Sequence, residues 1–196
     1  MLKTVTITLA AVLGVCMIIF GTLAMVAPAK VADFFDKLGW YNTSVHYYEK
    51  QYGKSDSIED LAVLILKIDD ESDSAKEKKY LETLLNHTDY KSYCTLKDSE
   101  SENAEVKTNE YYSGAYAIAL VRVGKFNDAI SFAYDFVSKN TYTAYNPFSA
   151  LIAELGESLS LEQLEKLKNK VSGFSYKDTA KADLREINRL IDEKSE

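Results

Sequence analysis

Residues 121–137 read VRVGKFNDAISFAYDFV, and residues 36–52 read DKLGWYNTSVHYYEKQY. Each segment has a glycine, one variable residue, an aromatic residue and an asparagine, and a small residue stands three positions after the aromatic. An aliphatic residue follows the small residue directly, and further aromatic residues come next. A pattern that occurs twice in one chain indicates an internal repeat of a single structural unit.

The rest of the chain after residue 30 has the sequence features of long helices. Its 196 residues include only 8 glycines and 2 prolines, which is too few chain-breaking residues for a fold of many short strands. Apolar residues at positions 148, 151, 152 and 155 follow the spacing of one helix face. Helix N-caps are predicted at four positions: Ser57, Ser74, Asn146 and Ser160. No strand pair is predicted, so the expected fold class is all-α.

The repeated segments resemble the tetratricopeptide repeat, a helix-turn-helix unit of about 34 residues. In that family the glycine lies in the turn, the aromatic residue packs on the first helix, and small residues let the two helices approach closely. The matching residues, in that order, are Gly39, Tyr41 and Ser44 in one segment and Gly124, Phe126 and Ala129 in the other. The family also has a small residue seven positions before the glycine, where this chain has Ala32 and Ala117.

The resemblance implies a row of helical pairs. The expected pairs cover about residues 28–52, 57–86, 109–139 and 146–172, and a closing helix covers about 178–193. A polar insertion near residues 88–107, predicted to be non-helical, explains why the two glycines are 85 residues apart, which is not a multiple of 34. The expected fold is thus a short α-solenoid of antiparallel helical pairs preceded by one transmembrane helix.

The chain departs from the family pattern at several positions. Gln51 and Phe136 stand where the family prefers alanine, and the second and fourth pairs lack the signature glycine and aromatic. A generic helical bundle would satisfy much of the same pattern.

The N-terminal segment has the composition of a membrane anchor. Residues 4–29 contain no charged residue, and about 20 apolar residues suffice for a helix to cross a bilayer. We therefore expect a transmembrane anchor at residues 1–29, with residues 4–28 in the lipid bilayer, and a helical-repeat domain at residues 30–196. The short leader before the apolar run favours a single-pass protein whose C-terminal domain lies outside the cytoplasm.

A cleaved signal peptide is the alternative for this segment. The run Ala27-Pro28-Ala29 imitates a cleavage site, but a signal peptide has an apolar stretch of only about 7–15 residues. Four aromatic residues follow the run: Phe34, Phe35, Trp40 and Tyr41. They could lie at the membrane–water interface as an aromatic belt, or they could pack inside the first helical pair, which is the simpler interpretation.

Residue types with catalytic or metal-binding potential are scattered. His46 and His87 each stand alone, and Cys16 and Cys94 lie in different parts of the chain without metal-ligand spacing. The acidic residues 69–73 lack the glycine and the closing glutamate of a calcium loop. We therefore expect no cofactor, no metal site and no enzymatic activity. We expect no nucleic-acid partner, because the formal net charge is −7 and basic residues do not cluster.

Protein binding is the function that the resemblance implies. In the family, the first helix of each pair lines a concave groove that receives a peptide or a helix. The corresponding candidates in this chain are Asp33, Lys37, Tyr111, Ile118, Arg122, Phe148 and Ile152. Ala29 and Asp33 replace the Lys and Asn with which the family clamps a C-terminal carboxylate, which argues against that ligand.

Pro28 begins the first predicted repeat helix directly where the apolar run ends, and no Gly/Ser-rich linker separates the anchor from the domain. This arrangement favours a membrane-associated protein as the partner. The alternative function is a structural or accessory subunit of a membrane protein complex without a groove ligand. An enzyme is the least favoured function class, since no catalytic constellation is present.

Overall fold

The computed structural model describes residues 14–15, 17–68, 73–101 and 105–196. Within these ranges the ordered elements are helices and no residue is in a strand, so the all-α class is confirmed. The chain forms two compact units, Met1–Ile68 and Asp69–Glu196. The predicted domain boundary after residue 29 falls inside the first unit.

The helices run in this order: α1 (Met17–Val26), α2 (Pro28–Lys37), α3 (Tyr41–Ser55), α4 (Ile58–Lys67), α5 (Ser74–Leu85), α6 (Tyr90–Glu100), α7 (Thr108–Arg122), α8 (Phe126–Lys139), α9 (Pro147–Leu155), α10 (Leu161–Ser172) and α11 (Asp178–Ser195). A short 3₁₀ turn, Gly156–Ser158, follows α9. Each helical segment predicted outside the insertion is present. Helices α4 and α5, expected as one pair, belong to different units.

The first unit is built on the packing of α2 against α3, and α4 packs against α3. Gly39 lies in the α2–α3 turn with a φ of +72°, a left-handed conformation that glycine adopts without strain. Ala32 and Ser44 are buried between the helices. Polar contacts also connect its helices. Among them, the Tyr48 hydroxyl donates to Asp33 Oδ1 at 2.5 Å, and Lys67 Nζ pairs with Asp36 Oδ2 at 2.5 Å.

The second unit is organised around α7, which packs against α5, α6, α8 and α9. Gly124 lies in the α7–α8 turn with a φ of +78°, and Ala117 and Ala129 are fully buried where the two helices approach. Larger core side chains come from the later helices: Phe148, Leu151, Leu164, Leu167, Val171 and Ile187. Helix α11 packs against α9 and α10.

The prediction that residues 88–107 are non-helical is wrong for Tyr90–Glu100, which forms α6. Tyr93 and Cys94 on α6 are buried, and the Tyr93 ring lies 6.4 Å from the Tyr112 ring of α7. Asp98 accepts hydrogen bonds from Thr108 N at 2.8 Å and Thr108 Oγ1 at 2.7 Å. Tertiary packing on one face thus stabilises a helix whose polar composition does not predict one.

The predicted helix caps are mostly confirmed. The side chains of Ser57, Asn146 and Ser160 accept hydrogen bonds from backbone N–H groups in the first turns of α4, α9 and α10. The cap of α5 is Asp73 and not Ser74, because the Asp73 carboxylate accepts from Lys76 N at 3.1 Å. A carboxylate at this position also stabilises the positive end of the helix dipole.

The predicted anchor is described only in its second half. Among the described residues, no helix alone has both the length and the apolar character needed to cross a bilayer; α1 and α2 together do, although the chain bends by 115° between them. The bend follows from Pro28, since the residue before a proline is disfavoured in helical geometry and Ala27 has a φ of −135° and a ψ of 64°. Residues 4–13 and Cys16, and the acidic residues 69–72, lie outside the described residues.

Candidate partner-binding groove

The second unit has an open apolar cleft with a volume of about 390 Å³ between α7 and α9. We call it the α7–α9 groove. It is lined from the α7 side by Val106, Glu110, Tyr111, Gly114, Ala115 and Ile118, and from the α9 side by Ala144, Tyr145, Ser149, Ala150 and Ala153.

The floor of the groove consists of small residues. A Cβ atom on Gly114 would lie 3.0 Å from the Cβ atom of Ala150, so the two helices nearly touch at this point. Ala115 and Ala153 flank the contact and add only methyl groups. The small side chains at these positions leave open space between the two helices, and this space is the α7–α9 groove.

Aromatic side chains form the walls at one end of the groove. Tyr111 is 52% exposed and Tyr145 is 37% exposed. The Tyr111 ring packs edge to face on the Tyr112 ring at a centroid distance of 5.1 Å, and the Tyr145 hydroxyl donates to Glu105 Oε2 at 2.7 Å. These contacts hold both rings in place while leaving part of each ring accessible to a ligand.

Glu110 fixes the geometry of the same end. Its Oε1 atom accepts a hydrogen bond from Thr143 Oγ1 at 2.8 Å, and its Oε2 atom accepts from Lys107 N at 3.3 Å. One carboxylate therefore connects the start of α7 to the loop that leads into α9. The groove is preformed at this end by hydrogen bonds within the unit.

The N-terminal end of α9 is held to α11 by a buried polar cluster. Asp183 Oδ2 accepts hydrogen bonds from the Tyr142 hydroxyl at 2.7 Å and from Ser149 Oγ at 2.6 Å. Burial raises the pKa of Asp183, although both hydrogen bonds act in the opposite direction. Burial, together with the nearby Asp183 carboxylate, also raises the pKa of Tyr142. Tyr142 and Ser149 thus share one carboxylate oxygen of Asp183, and these two hydrogen bonds position the start of α9 against α11.

Two of the seven predicted site residues, Tyr111 and Ile118, line the groove. Arg122 lies one helical turn beyond Ile118 and is engaged within the unit: its Nη2 atom is 3.3 Å from Glu154 Oε1, and its Nη1 atom is 3.9 Å from Glu77 Oε2. Arg122 therefore connects α5, α7 and α9 through ion pairs.

The other predicted residues lie elsewhere. Phe148 is fully buried and Ile152 is nearly so, and both belong to the hydrophobic core. Their burial follows from the packing of α9 against α7, α8 and α11, which covers the apolar face of this helix. Asp33 and Lys37 are exposed residues of α2 in the first unit, where Asp33 accepts the hydrogen bond from Tyr48.

Sequence reasoning missed the small residues of the floor and Tyr145 as a groove residue. Gly114 could have indicated the floor, because it stands inside a predicted helix. Glycine at such a position lowers helix stability by about 1 kcal/mol relative to alanine. A glycine at such a position usually has a packing reason, and here the reason is the approach of Ala150.

No group of three or more His, Cys, Asp or Glu side chains in the described part of the chain is arranged to hold a metal ion. Comparison of the chain with known protein families, with curated proteins and with solved structures finds no match. The α7–α9 groove and the exposed apolar side chains of the first unit are described features with the chemistry of a binding surface.

Proposed function

We propose that this chain is a membrane-anchored protein-binding module. Its apolar N-terminal segment holds it in a bilayer, and its α7–α9 groove receives an apolar side chain from a peptide or helix of a membrane-associated protein. The observation that carries the proposal is the groove itself, in which two partly exposed tyrosines stand beside a floor of glycine and alanine.

The groove has the chemistry of a protein-binding site. Binding energy at interfaces concentrates where an anchor side chain fills a well-packed apolar pocket, and tyrosine is enriched at such places. Tyr111 and Tyr145 offer ring surface at a low entropic cost, because other contacts already restrain both rings. The floor of small residues leaves room for the partner's side chain.

The membrane part of the proposal is supported by the exposed surface of α1. Large apolar side chains cover this helix on several sides, and Met17, Ile18, Met25 and Val26 are each at least 70% exposed. An exposed apolar patch of this kind on a protein surface marks a site that contacts a membrane or another protein. Together with the uncharged residues 4–16 it makes up a run of the length that a transmembrane helix needs. A single-pass topology with the C-terminal domain outside the cytoplasm remains our proposal for this run.

Repeat-like stacking is the architecture that we propose for α7 to α9. Helix α7 packs against α8 and α9, and α8 also packs against α9, as when a helical pair stacks on the first helix of the next pair. The expected pair of α9 with α10 departs from this order, because α10 packs mainly on α11 and also on α8. The left-handed glycines in the α2–α3 and α7–α8 turns add local support for a tetratricopeptide-like unit.

One observation favours the alternative, an accessory subunit of a membrane complex. Gly14 and Gly21 lie seven residues apart in the apolar segment, and among the described residues no group beyond the local helix backbone comes within 4 Å of a Cβ atom placed at either position. Small residues that face outward allow another membrane helix to pack closely. In that case the anchor would make the specific contacts and the groove would stay empty.

A photocrosslinker distinguishes the two functions. A photoreactive phenylalanine analogue in place of Tyr111 in the full-length chain should give one discrete adduct in intact membranes. The matched control carries the same analogue in place of Tyr176, which is exposed on the second unit and does not line the groove. Equal labelling at both positions, or adducts only from positions near Gly14 and Gly21, would favour the accessory-subunit function.

A further inference from the structure

The first unit has an exposed apolar corner. Phe34 and Leu38 at the end of α2 and Trp40 and Tyr41 at the start of α3 are each more than half exposed. We call these four residues the α2–α3 corner. Phe35, the other aromatic residue of this region, is buried and stacks on Trp40 at 5.5 Å, so the corner is attached firmly to the unit.

The outer face of α2 combines the apolar corner with basic residues. Val31, Ala32 and Phe35 are buried on the inner side of this helix. Lys30, Phe34 and Lys37 are exposed on the opposite side at spacings of three and four residues. A helix that presents aromatic and basic side chains together matches the composition of helices that lie in a membrane interface.

The acidic residues of α2 are held within the unit. The Asp33 carboxylate accepts the hydrogen bond from the Tyr48 hydroxyl at 2.5 Å, and Asp36 pairs with Lys67 at 2.5 Å. Both partners lie on neighbouring helices, so each carboxylate is engaged within the unit, although Asp33 itself is exposed. Lys67 balances the charge of Asp36, and α2 therefore presents Lys30 and Lys37 outward beside the single carboxylate of Asp33.

The bend between α1 and α2 directs the corner back toward the apolar segment. A bend of 115° exceeds a right angle, so α2 runs partly against the direction of α1. Contacts fix this geometry: the Phe20 ring of α1 packs edge to face on Phe35 at 5.8 Å and on Tyr47 at 6.4 Å, and Lys54 Nζ donates to the Met25 carbonyl. If α1 leaves the bilayer parallel to the membrane normal, α2 turns back toward the membrane surface. The α2–α3 corner, at the far end of α2, then reaches that surface.

We propose that the α2–α3 corner docks on the same bilayer that holds the anchor. The rings of Trp40 and Tyr41 lie at the level of the lipid headgroups, Phe34 and Leu38 contact the upper acyl chains, and Lys30 and Lys37 face the phosphates. This inference rests on the membrane anchoring in the proposed function and adds a second, interfacial attachment that fixes the orientation of the first unit.

Trp40 is the single tryptophan of the chain, so its fluorescence reports on the corner directly. The full-length chain is reconstituted into vesicles of phosphatidylcholine and phosphatidylglycerol, and flotation is measured first. We expect blue-shifted Trp40 emission, strong quenching by lipids brominated near the headgroup end of the acyl chain, and little quenching by aqueous iodide.

The matched control is the double variant Trp40→Phe with Tyr176→Trp. It moves the single tryptophan to a position that is 71% exposed on the second unit, where iodide should quench it and brominated lipid should not. Vesicle-bound wild-type chain whose Trp40 is quenched by iodide and not by brominated lipid overturns the corner proposal alone. A chain that does not float with the vesicles overturns the anchoring and the corner proposal together.

Discussion

Gly114 and Ala150 face each other where α7 packs on α9, and a Cβ atom on Gly114 would lie 3.0 Å from the Cβ atom of Ala150. Both residues line the α7–α9 groove. Substituting Gly114→Val should force the helices apart and destabilise the fold by about 1–3 kcal/mol. Urea unfolding followed by circular dichroism measures the change.

The matched control for this substitution is Ala153→Val, which adds similar bulk at an exposed position of the same groove. It should cost less than about 1 kcal/mol, which is the helix propensity difference alone. Equal losses of stability in the two variants would mean that α7 and α9 do not approach at Gly114.

Ala129 should tolerate no larger side chain. It is fully buried where α7 meets α8, whereas Ser131, two residues later on α8, is exposed. We expect Ala129→Leu to destabilise the chain by about 1–3 kcal/mol through overpacking, and Ser131→Leu to change the melting temperature little. If Ala129→Leu leaves the stability unchanged and Ser131→Leu lowers it, the face of α8 that packs against α7 is assigned wrongly.

Asp183 should make stability depend on pH. Burial raises its pKa in the folded state above the ordinary aspartate value, so between these two values the folded state holds a proton that the unfolded state has lost. Its contribution to stability is therefore greatest below the ordinary pKa, about 3.9, and is lost as the pH rises through the folded-state pKa.

The variant Asp183→Asn removes this titration. Its amide oxygen can take the place of Oδ2, which accepts from both Tyr142 and Ser149. The unfolding free energy of the variant relative to wild type should therefore increase as the pH rises from the ordinary aspartate pKa through the raised pKa of Asp183 in the folded state. Asp178→Asn on the exposed start of the same helix is the control, and it should show no such increase. A relative stability of Asp183→Asn that falls with pH would contradict the burial of a carboxylate at this position.

The N-terminal segment should stay attached to the mature chain. Extraction of membranes with alkaline carbonate should leave the full-length chain in the pellet, because a continuous apolar run of this length partitions into lipid. Recovery of a soluble chain whose N-terminus is Lys30 would instead identify the segment as a cleaved signal peptide.

Much of the fold could be predicted from local sequence chemistry. The two left-handed turns follow from Gly39 and Gly124, and the starts of α4, α9 and α10 follow from capping residues whose side chains bond the nearest backbone N–H groups. Each of these features is determined by a few neighbouring residues, so it can be recognised without tertiary information.

Features that depend on distant parts of the chain could not be predicted in this way. Helix α6 is polar and forms because Tyr93 and Cys94 are buried in the second unit. The spacing of Phe148 and Ile152 fits one face of a helix, and that face could either bind a partner or pack into the core. The packing of α8 and α11 on α9 shows that it belongs to the core. The groove floor arises from Gly114 and Ala150, which are 36 residues apart in sequence.

The most direct test of the central claim is to fill the groove and measure partner capture. In the full-length chain with the photocrosslinker at position 111, Ala153→Trp places a large ring over the floor, whereas Ala182→Trp places the same ring on an exposed part of α11. Circular dichroism checks that both variants are folded. We predict that the adduct formed in intact membranes is lost in Ala153→Trp and retained in Ala182→Trp. An adduct of unchanged yield in folded Ala153→Trp would contradict binding of a partner in the α7–α9 groove.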